Sequence, residues 1–261
     1  MINSSDKYLV FQNGVYVGFI GIVMKNIQMR IGKHFNFYGR KRGKKLSKLQ
    51  EHYILTYLPK IALDKVSFGE NPNRSKLELT EIFDENYPIC LEIGFGGGEH
   101  LLSIAKKNKN VGFIGCEPYI NGVAMLLPRL FKEDLKNVRI YMGDARTLFE
   151  VLPDCSITNL FLLFPDPWPK ARHKKRRFIS KENLNVLKRV LKLDGLIFIA
   201  TDVGDYAKHV LETFNQAGNF EWLAESANDW RHPWKDWERT RYYLKAEKSG
   251  RETIFLTFRK V

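Results

Sequence analysis

The sequence predicts an α/β fold, with a mostly parallel sheet covered by helices on both faces. Three observations predict it. From Pro88 onward, short apolar runs rich in Ile, Val, Leu and Phe alternate with amphipathic stretches, the rhythm of strand–helix–strand units. Glycines crowd the passage from the first run to the first amphipathic stretch, in Gly94-Phe95-Gly96-Gly97-Gly98, where backbone turns tightly or approaches a ligand. An acid, Glu117, closes the second run.

The elements follow in order. Ile89 to Ile93 reads as the first strand and Glu99 to Lys107 as the helix after the glycine turn. Val111 to Cys116 is the second strand, Asn121 to Lys132 its helix, Val138 to Met142 the third strand and Ile157 to Phe164 the fourth. Ser180 is an N-cap for a helix reaching Leu193, because Leu184, Leu187, Val190 and Leu191 recur at helical spacing. Asp194-Gly195 turns the chain into a fifth strand, Leu196 to Ala200, and a helix from Tyr206 to Phe214 follows. Glu221 to Ala227 and Thr253 to Phe258 are the last two candidate strands. The first 85 residues lack this alternation. They divide into an extension, 1–28, and a basic arm, 29–85, ahead of the α/β domain at 86–261.

Lys and Arg number 42 against 29 Asp and Glu, a formal charge of +13, which points to a polyanionic partner. Distribution favours that over plain solubility. No acid occurs from Lys7 to Gln50, where Arg40, Lys41, Arg42, Lys44, Lys45 and Lys48 accumulate. Around His173, the run Lys170, Arg172, Lys174, Lys175, Arg176 and Arg177 puts six cations in eight residues. Both clusters are the footprint of phosphate contact, so Arg40, Arg42 and the run from Arg172 to Arg177 are expected on a nucleic-acid backbone.

Cys90, Cys116 and Cys155 are odd in number and show no ligand spacing, and the histidines show none either. Reduced thiols, a cytoplasmic protein and no metal are expected. Tyr8 to Met24 is mostly apolar, but Gln12, Asn13 and three glycines interrupt it. It falls short of the roughly 20 residues of a span and lacks a cleavage site, so no membrane partner is expected.

Within the domain, Gly94 and Gly96 let backbone come close to a ligand at the sheet's carboxyl edge. A dinucleotide fingerprint would need glycine at 99, where Glu99 stands. Glu117 is placed to accept both hydroxyls of a ribose; a plain strand-end carboxylate is the alternative. Asp144, after the third strand, is placed to accept from an adenine amino group, with a turn-forming role as its alternative. The sharper signal follows the fourth strand. Pro165, Pro167 and Pro169 alternate with Asp166, Trp168 and Lys170, and each proline fixes its own φ and restricts the residue before it. A stiff loop presenting an acid and an aromatic beside cations suits a flat base and its phosphates.

Leu91-Glu92-Ile93-Gly94-Phe95-Gly96, then Phe164-Pro165-Asp166-Pro167-Trp168-Pro169-Lys170 with Arg172-His173-Lys174-Lys175-Arg176-Arg177, and Ala200-Thr201-Asp202, strongly resemble the bacterial tRNA (guanine-N(7)-)-methyltransferase family. The resemblance runs from about Phe37 to the C-terminus. It implies a seven-stranded, Rossmann-like class I methyltransferase fold, S-adenosyl-L-methionine as cofactor, tRNA as substrate with methylation at N7 of a variable-loop guanine, and a cytoplasmic monomer or homodimer. By resemblance, Glu92, Glu117, Asp144 and Asp166 contact the cofactor, Asp166 is also catalytic, and Lys170 and Asp202 contact substrate. The family's basic arm looks like Phe37 to Lys48 here. Its T-[KR]-[FY]-E element matches Thr240-Arg241-Tyr242-Tyr243, with Tyr243 in place of the carboxylate. Glu238 and Glu247 are the nearest acids that could stand in.

N7 of guanine carries an exposed lone pair, so the implied reaction needs alignment and charge stabilisation rather than a base. Two rivals are weaker. An exocyclic-amine methyltransferase would have D-P-P-W, not P-D-P-W, and a nicotinamide oxidoreductase would lack the cations at 170–177.

Overall fold

The computed structural model describes residues 38–39, 41–84 and 87–261. The expected extension at 1–28, the arm as far as Phe37, and Arg40 lie outside the described residues.

The middle layer is a seven-stranded sheet of order β3-β2-β1-β4-β5-β7-β6. Its strands are β1 Ile89–Ile93, β2 Gly112–Cys116, β3 Val138–Tyr141, β4 Ile157–Leu163, β5 Leu191–Thr201, β6 Phe220–Trp222 and β7 Ile254–Lys260. The first five are parallel; β7 enters between β5 and β6, antiparallel to both. The parallel part is what the alternation predicts and the seven strands are what the resemblance implies, while β6 ends at Trp222, short of the expected Ala227. Both faces are buried, as a parallel sheet requires. Leu91 and Ile93 of β1 pack with Leu160 and Leu162 of β4 on one face, while Cys90 packs with Phe161 and Leu163 on the other.

The helices are α1 Lys48–Thr56, α2 Leu58–Ile61, α3 Leu79–Ile82, α4 Glu99–Lys107, α5 Ile120–Glu133, α6 Ala145–Val151, α7 Lys181–Val190, α8 Gly204–Ala217, α9 Asn228–Arg231 and α10 Arg241–Lys248. Leu184, Leu187 and Val190 are buried on α7, and Ser180 caps it by accepting from the Asn183 N–H, as read from the sequence. The helix ends earlier than expected. Leu191 is already extended and pairs with Ile157, after which the register jumps to Asn159 opposite Leu196. Asp194 takes φ +59 in the excursion between, so the expected turn is a bulge within one long strand.

The N-terminal region departs further from its reading as an arm. Among the described residues, Lys41–Lys45 are exposed, and packing against the core begins at Leu46. Ser47 and Gln50 form a reciprocal capping box at the start of α1, an arrangement whose hydroxyl alone contributes about 1 kcal/mol. Tyr53 and Tyr57 then pack on Phe131 of α5, each with ring centroids 5.3 Å from it. The Leu63 N–H bonds the Ile140 carbonyl at 2.9 Å and Ala62 bridges Ile140, so this segment covers the open edge of β3. Leu63, Val66, Leu77 and Phe83 enter the core one at a time, without the periodicity that marks helices or strands.

Candidate functional site

Five parallel strands deliver the predicted residues to one edge. The loop leaving β1 holds Gly94 and Gly96 in left-handed conformations, φ +71 and +55, which a side-chain-bearing residue adopts at a cost. Helix α5 approaches this loop closely, and a Cβ on Gly122 would lie 2.3 Å from the Gly96 carbonyl oxygen. That contact brings the loop against Glu117 at the end of β2. Glu117 is buried; Oε2 accepts the Gly96 N–H at 2.7 Å and Oε1 the Tyr119 N–H at 2.8 Å. Desolvation pushes its pKa up to about 7, opposed by those two hydrogen bonds and reinforced by the charges of Asp166 and Glu92.

Glu92 points to the α4 face, where its Oε2 lies 2.8 Å from Nδ1 of His100, and both side chains are buried. His100 rests on Phe161, centroids 4.7 Å apart, with Trp237 beyond it. Sequence reasoning missed this partner. A histidine eight positions on, across a turn, carries no spacing signal. Asp144 caps α6 by accepting the Arg146 N–H at 2.9 Å, and its carboxylate also pairs with the Arg146 guanidinium. Its turn-forming role is therefore real.

After β4, Phe164 and Trp168 both have positive φ, +50 and +44, and the Phe164 N–H bonds the Ala200 carbonyl at 2.7 Å. Between them Asp166 stands exposed at the cleft, where desolvation raises its pKa above the ordinary carboxylate value. Burial raises the Tyr242 hydroxyl, reinforced by the charges of Glu117 and, more weakly, Asp166. Tyr242 stacks on Phe164 at 6.3 Å and covers Gly96, its ring edge 3.1 Å from where a Cβ would be.

The four residues at 240–243, expected as substrate contacts, each have partners within the protein. Thr240 is the buried N-cap of α10 and accepts the Tyr243 N–H. Arg241 forks onto Glu99 of α4. Tyr243 turns into an aromatic cluster, 5.8 Å from Trp237 and 6.4 Å from Phe255, leaving Tyr242 at the cleft. The alternative acids are engaged as well, Glu238 with Ser103 and Glu247 with Arg239. Asp202, at the end of β5, pairs with Arg251 at 2.7 Å.

The cationic run is divided by its surroundings. Ala171–Arg176 forms a short 3-10 helix, with Lys170, Arg172 and Lys175 exposed. Lys174 pairs with Asp205 at 2.9 Å. Arg176 stacks its guanidinium on Tyr38 at 4.3 Å and on Trp168 at 5.0 Å. Arg177 corrects its expected place on a nucleic-acid backbone. Its side chain is 1% exposed, donates to the Pro167 carbonyl at 2.9 Å and pairs with Asp205, so it braces the proline loop from inside. Replacing Arg177 with Met is expected to cost about 2 kcal/mol, less than a fully buried pair because Asp205 is half-exposed. A thermal melt checks this; an unchanged midpoint with a reduced salt dependence of RNA binding would return Arg177 to the surface role. His173, edge-on to Trp168 at 5.8 Å, is pushed below its ordinary pKa by desolvation and by Arg176, Arg172 and Lys170, which favours its neutral form.

Among the described residues, no three His, Cys, Asp or Glu side chains are grouped to hold a metal ion, and no helix is long and apolar enough to cross a membrane.

A glycine loop after β1, an acid ending β2 and the 3-2-1-4-5-7-6 sheet with one antiparallel strand define a methyltransferase of the class I type. A solved structure shares the fold: a 16S rRNA methyltransferase, KamB, superposes with a TM-score of 0.50 at 14% identity, covering 70% of this chain and 92% of that one. A family model described as "Putative methyltransferase" matches residues 86–256. The tRNA (guanine-N(7)-)-methyltransferase of Jannaschia sp. (strain CCS1) is 49% identical over 227 residues, 87% of this chain and 95% of the relative. The protein of that name from Rhizobium johnstonii is 42% identical over 226 residues, 86% and 94% of the two chains. The chain belongs to the tRNA (guanine-N(7)-)-methyltransferase family.

Proposed function

We propose that this protein transfers a methyl group from S-adenosylmethionine to N7 of a guanine in tRNA, in the cytoplasm. The observation that carries this reading is Asp166, held in a braced proline loop between the acid that ends β2 and a set of exposed cations.

The residues present fit the cofactor. Left-handed Gly94 and Gly96 leave backbone close to the cleft, and Glu117 keeps a lone pair on each oxygen beyond its two backbone bonds. Glu117 would hold the ribose hydroxyls, Asp144 the adenine amino group while sharing its carboxylate with Arg146, and Glu92 the amino-acid end. When bound, the cofactor supplies an electrophilic sulfonium methyl. The guanine brings its own lone pair, so Asp166 need not remove a proton. It orients the base and offsets the positive charge that develops on it. Tyr242, stacked on Phe164, offers a flat surface for the base beside Asp166. The free thiols Cys90, Cys116 and Cys155 suit a reducing compartment.

Labelled cofactor and unmodified tRNA test the reading directly. Nuclease digestion and mass spectrometry are expected to give 7-methylguanosine, and a methyl on an exocyclic amine would overturn it. Within the run after β4, Lys170, Arg172 and Lys175 are exposed and free to meet RNA. Replacing Arg172 and Lys175 with Ala is expected to lower the slope of log K against log salt by about 1 to 2. Filter binding across a salt series measures it, and an unchanged slope would assign those cations elsewhere.

A further inference from the structure

We propose that Asn121 is a positioning residue for the RNA substrate, clamping the cationic segment Lys41–Lys45 beside the acid that ends β2. The inference rests on the reading of that segment as RNA-binding. Asn121 stands in the first turn of α5 and its side chain reaches out to the segment. Its Oδ1 accepts the Gly43 N–H at 2.7 Å, and its Nδ2 donates to the Lys44 carbonyl at 2.7 Å. A side-chain amide presents a donor and an acceptor together, so one residue satisfies both backbone groups. The Ile120 N–H adds a weaker bond to the Lys41 carbonyl at 3.3 Å.

These polar contacts, not burial, fix the segment. Lys41, Arg42, Gly43, Lys44 and Lys45 are all exposed, whereas α5 is held by its own buried face, with Val123, Ala124, Leu127 and Leu130 in the core. Gly43 fits closely: a Cβ there would fall 1.9 Å from the Tyr119 hydroxyl oxygen. Tyr119 in turn donates its N–H to Glu117. Contacts therefore run without a break from the cationic segment to the acid assigned to the ribose. Earlier in the chain, Tyr38 touches Trp168 and Arg176 in the loop after β4, the strand on the other side of β1. Cations held in place before RNA arrives avoid the ordering cost that a loose arm incurs on binding.

Steady-state methyl transfer with the full chain, S-adenosylmethionine and an unmodified tRNA transcript tests this. Asn121→Ala is expected to raise KM for tRNA about tenfold, the scale of one or two net hydrogen bonds. KM for the cofactor, kcat and the melting midpoint stay near the parent values, while trypsin cuts at Lys41–Lys45 faster. A triple variant, Arg42→Ala, Lys44→Ala and Lys45→Ala, separates the two ways to fail. If the triple variant raises KM for tRNA and Asn121→Ala does not, the clamp is wrong and the RNA-binding segment stands. If the triple variant leaves KM for tRNA unchanged, the segment does not bind RNA and the proposal falls with it. A rise in cofactor KM alone for Asn121→Ala also overturns it, because Asn121 would then serve the cofactor.

Discussion

Asp166→Asn is expected to lower kcat for methyl transfer about a hundredfold, the loss typical when one preorganised electrostatic group is removed from a developing charge. KM for tRNA and for the cofactor should change little, because asparagine keeps the shape and loses only the charge. The expectation depends on how firmly the loop is held. Phe164 and Trp168 sit in left-handed conformations at its two ends, the Ala200 carbonyl anchors the Phe164 N–H, and Arg177 grips the Pro167 carbonyl from below. A carboxylate fixed in this way need not reorganise as charge moves onto the base, whereas a mobile one would. Single-turnover rates with saturating cofactor and tRNA make the measurement. Full turnover by the variant would remove Asp166 from the chemistry and leave it a loop residue.

How much of this was legible in the sequence depends on whether a residue's role follows from a repeat. β1 and α4 were read to the residue, since a buried apolar run, a glycine turn and an amphipathic helix each have a period. The helix α6 was not, although Asp144 caps it; seven residues give too few turns for a pattern to show. The N-terminal segment reads in the sequence as a basic arm because its buried side chains, such as Leu63 and Leu77, enter the core singly. At the site, types were legible and partners were not. Six clustered cations gave the charge of the surface, but nothing local distinguishes buried Arg177 from exposed Lys175. Likewise two adjacent tyrosines point apart on a helix, and only the structure shows Tyr242 at the cleft and Tyr243 within the aromatic cluster. His100 was invisible because its pairing with Glu92 is made across a turn rather than along an element.

Glu117 gives the second large effect, a dependence of cofactor affinity on pH. Its carboxyl is shifted up to about 7, first by desolvation and then by the nearby charges of Asp166 and Glu92. In the free protein the folded state therefore binds this proton more tightly than the unfolded chain does. The resulting stability is fully present below the ordinary carboxylate range and is lost as pH rises towards 7. Ribose hydroxyls reverse the preference, because they donate and so favour the ionised acceptor. If binding requires the carboxylate, affinity is near its maximum at pH 8 and falls about tenfold per unit below 7, or about thirtyfold by pH 5.5. Titration calorimetry of S-adenosylmethionine over that range measures it, with proton release on binding at pH 6 as a second sign of the same ionisation. Glu117→Gln, which cannot ionise, is expected to bind weakly and flatten the profile. A wild-type profile already flat between pH 5.5 and 8 would mean that Glu117 is ionised throughout, and that the Gly96 and Tyr119 N–H bonds outweigh its burial.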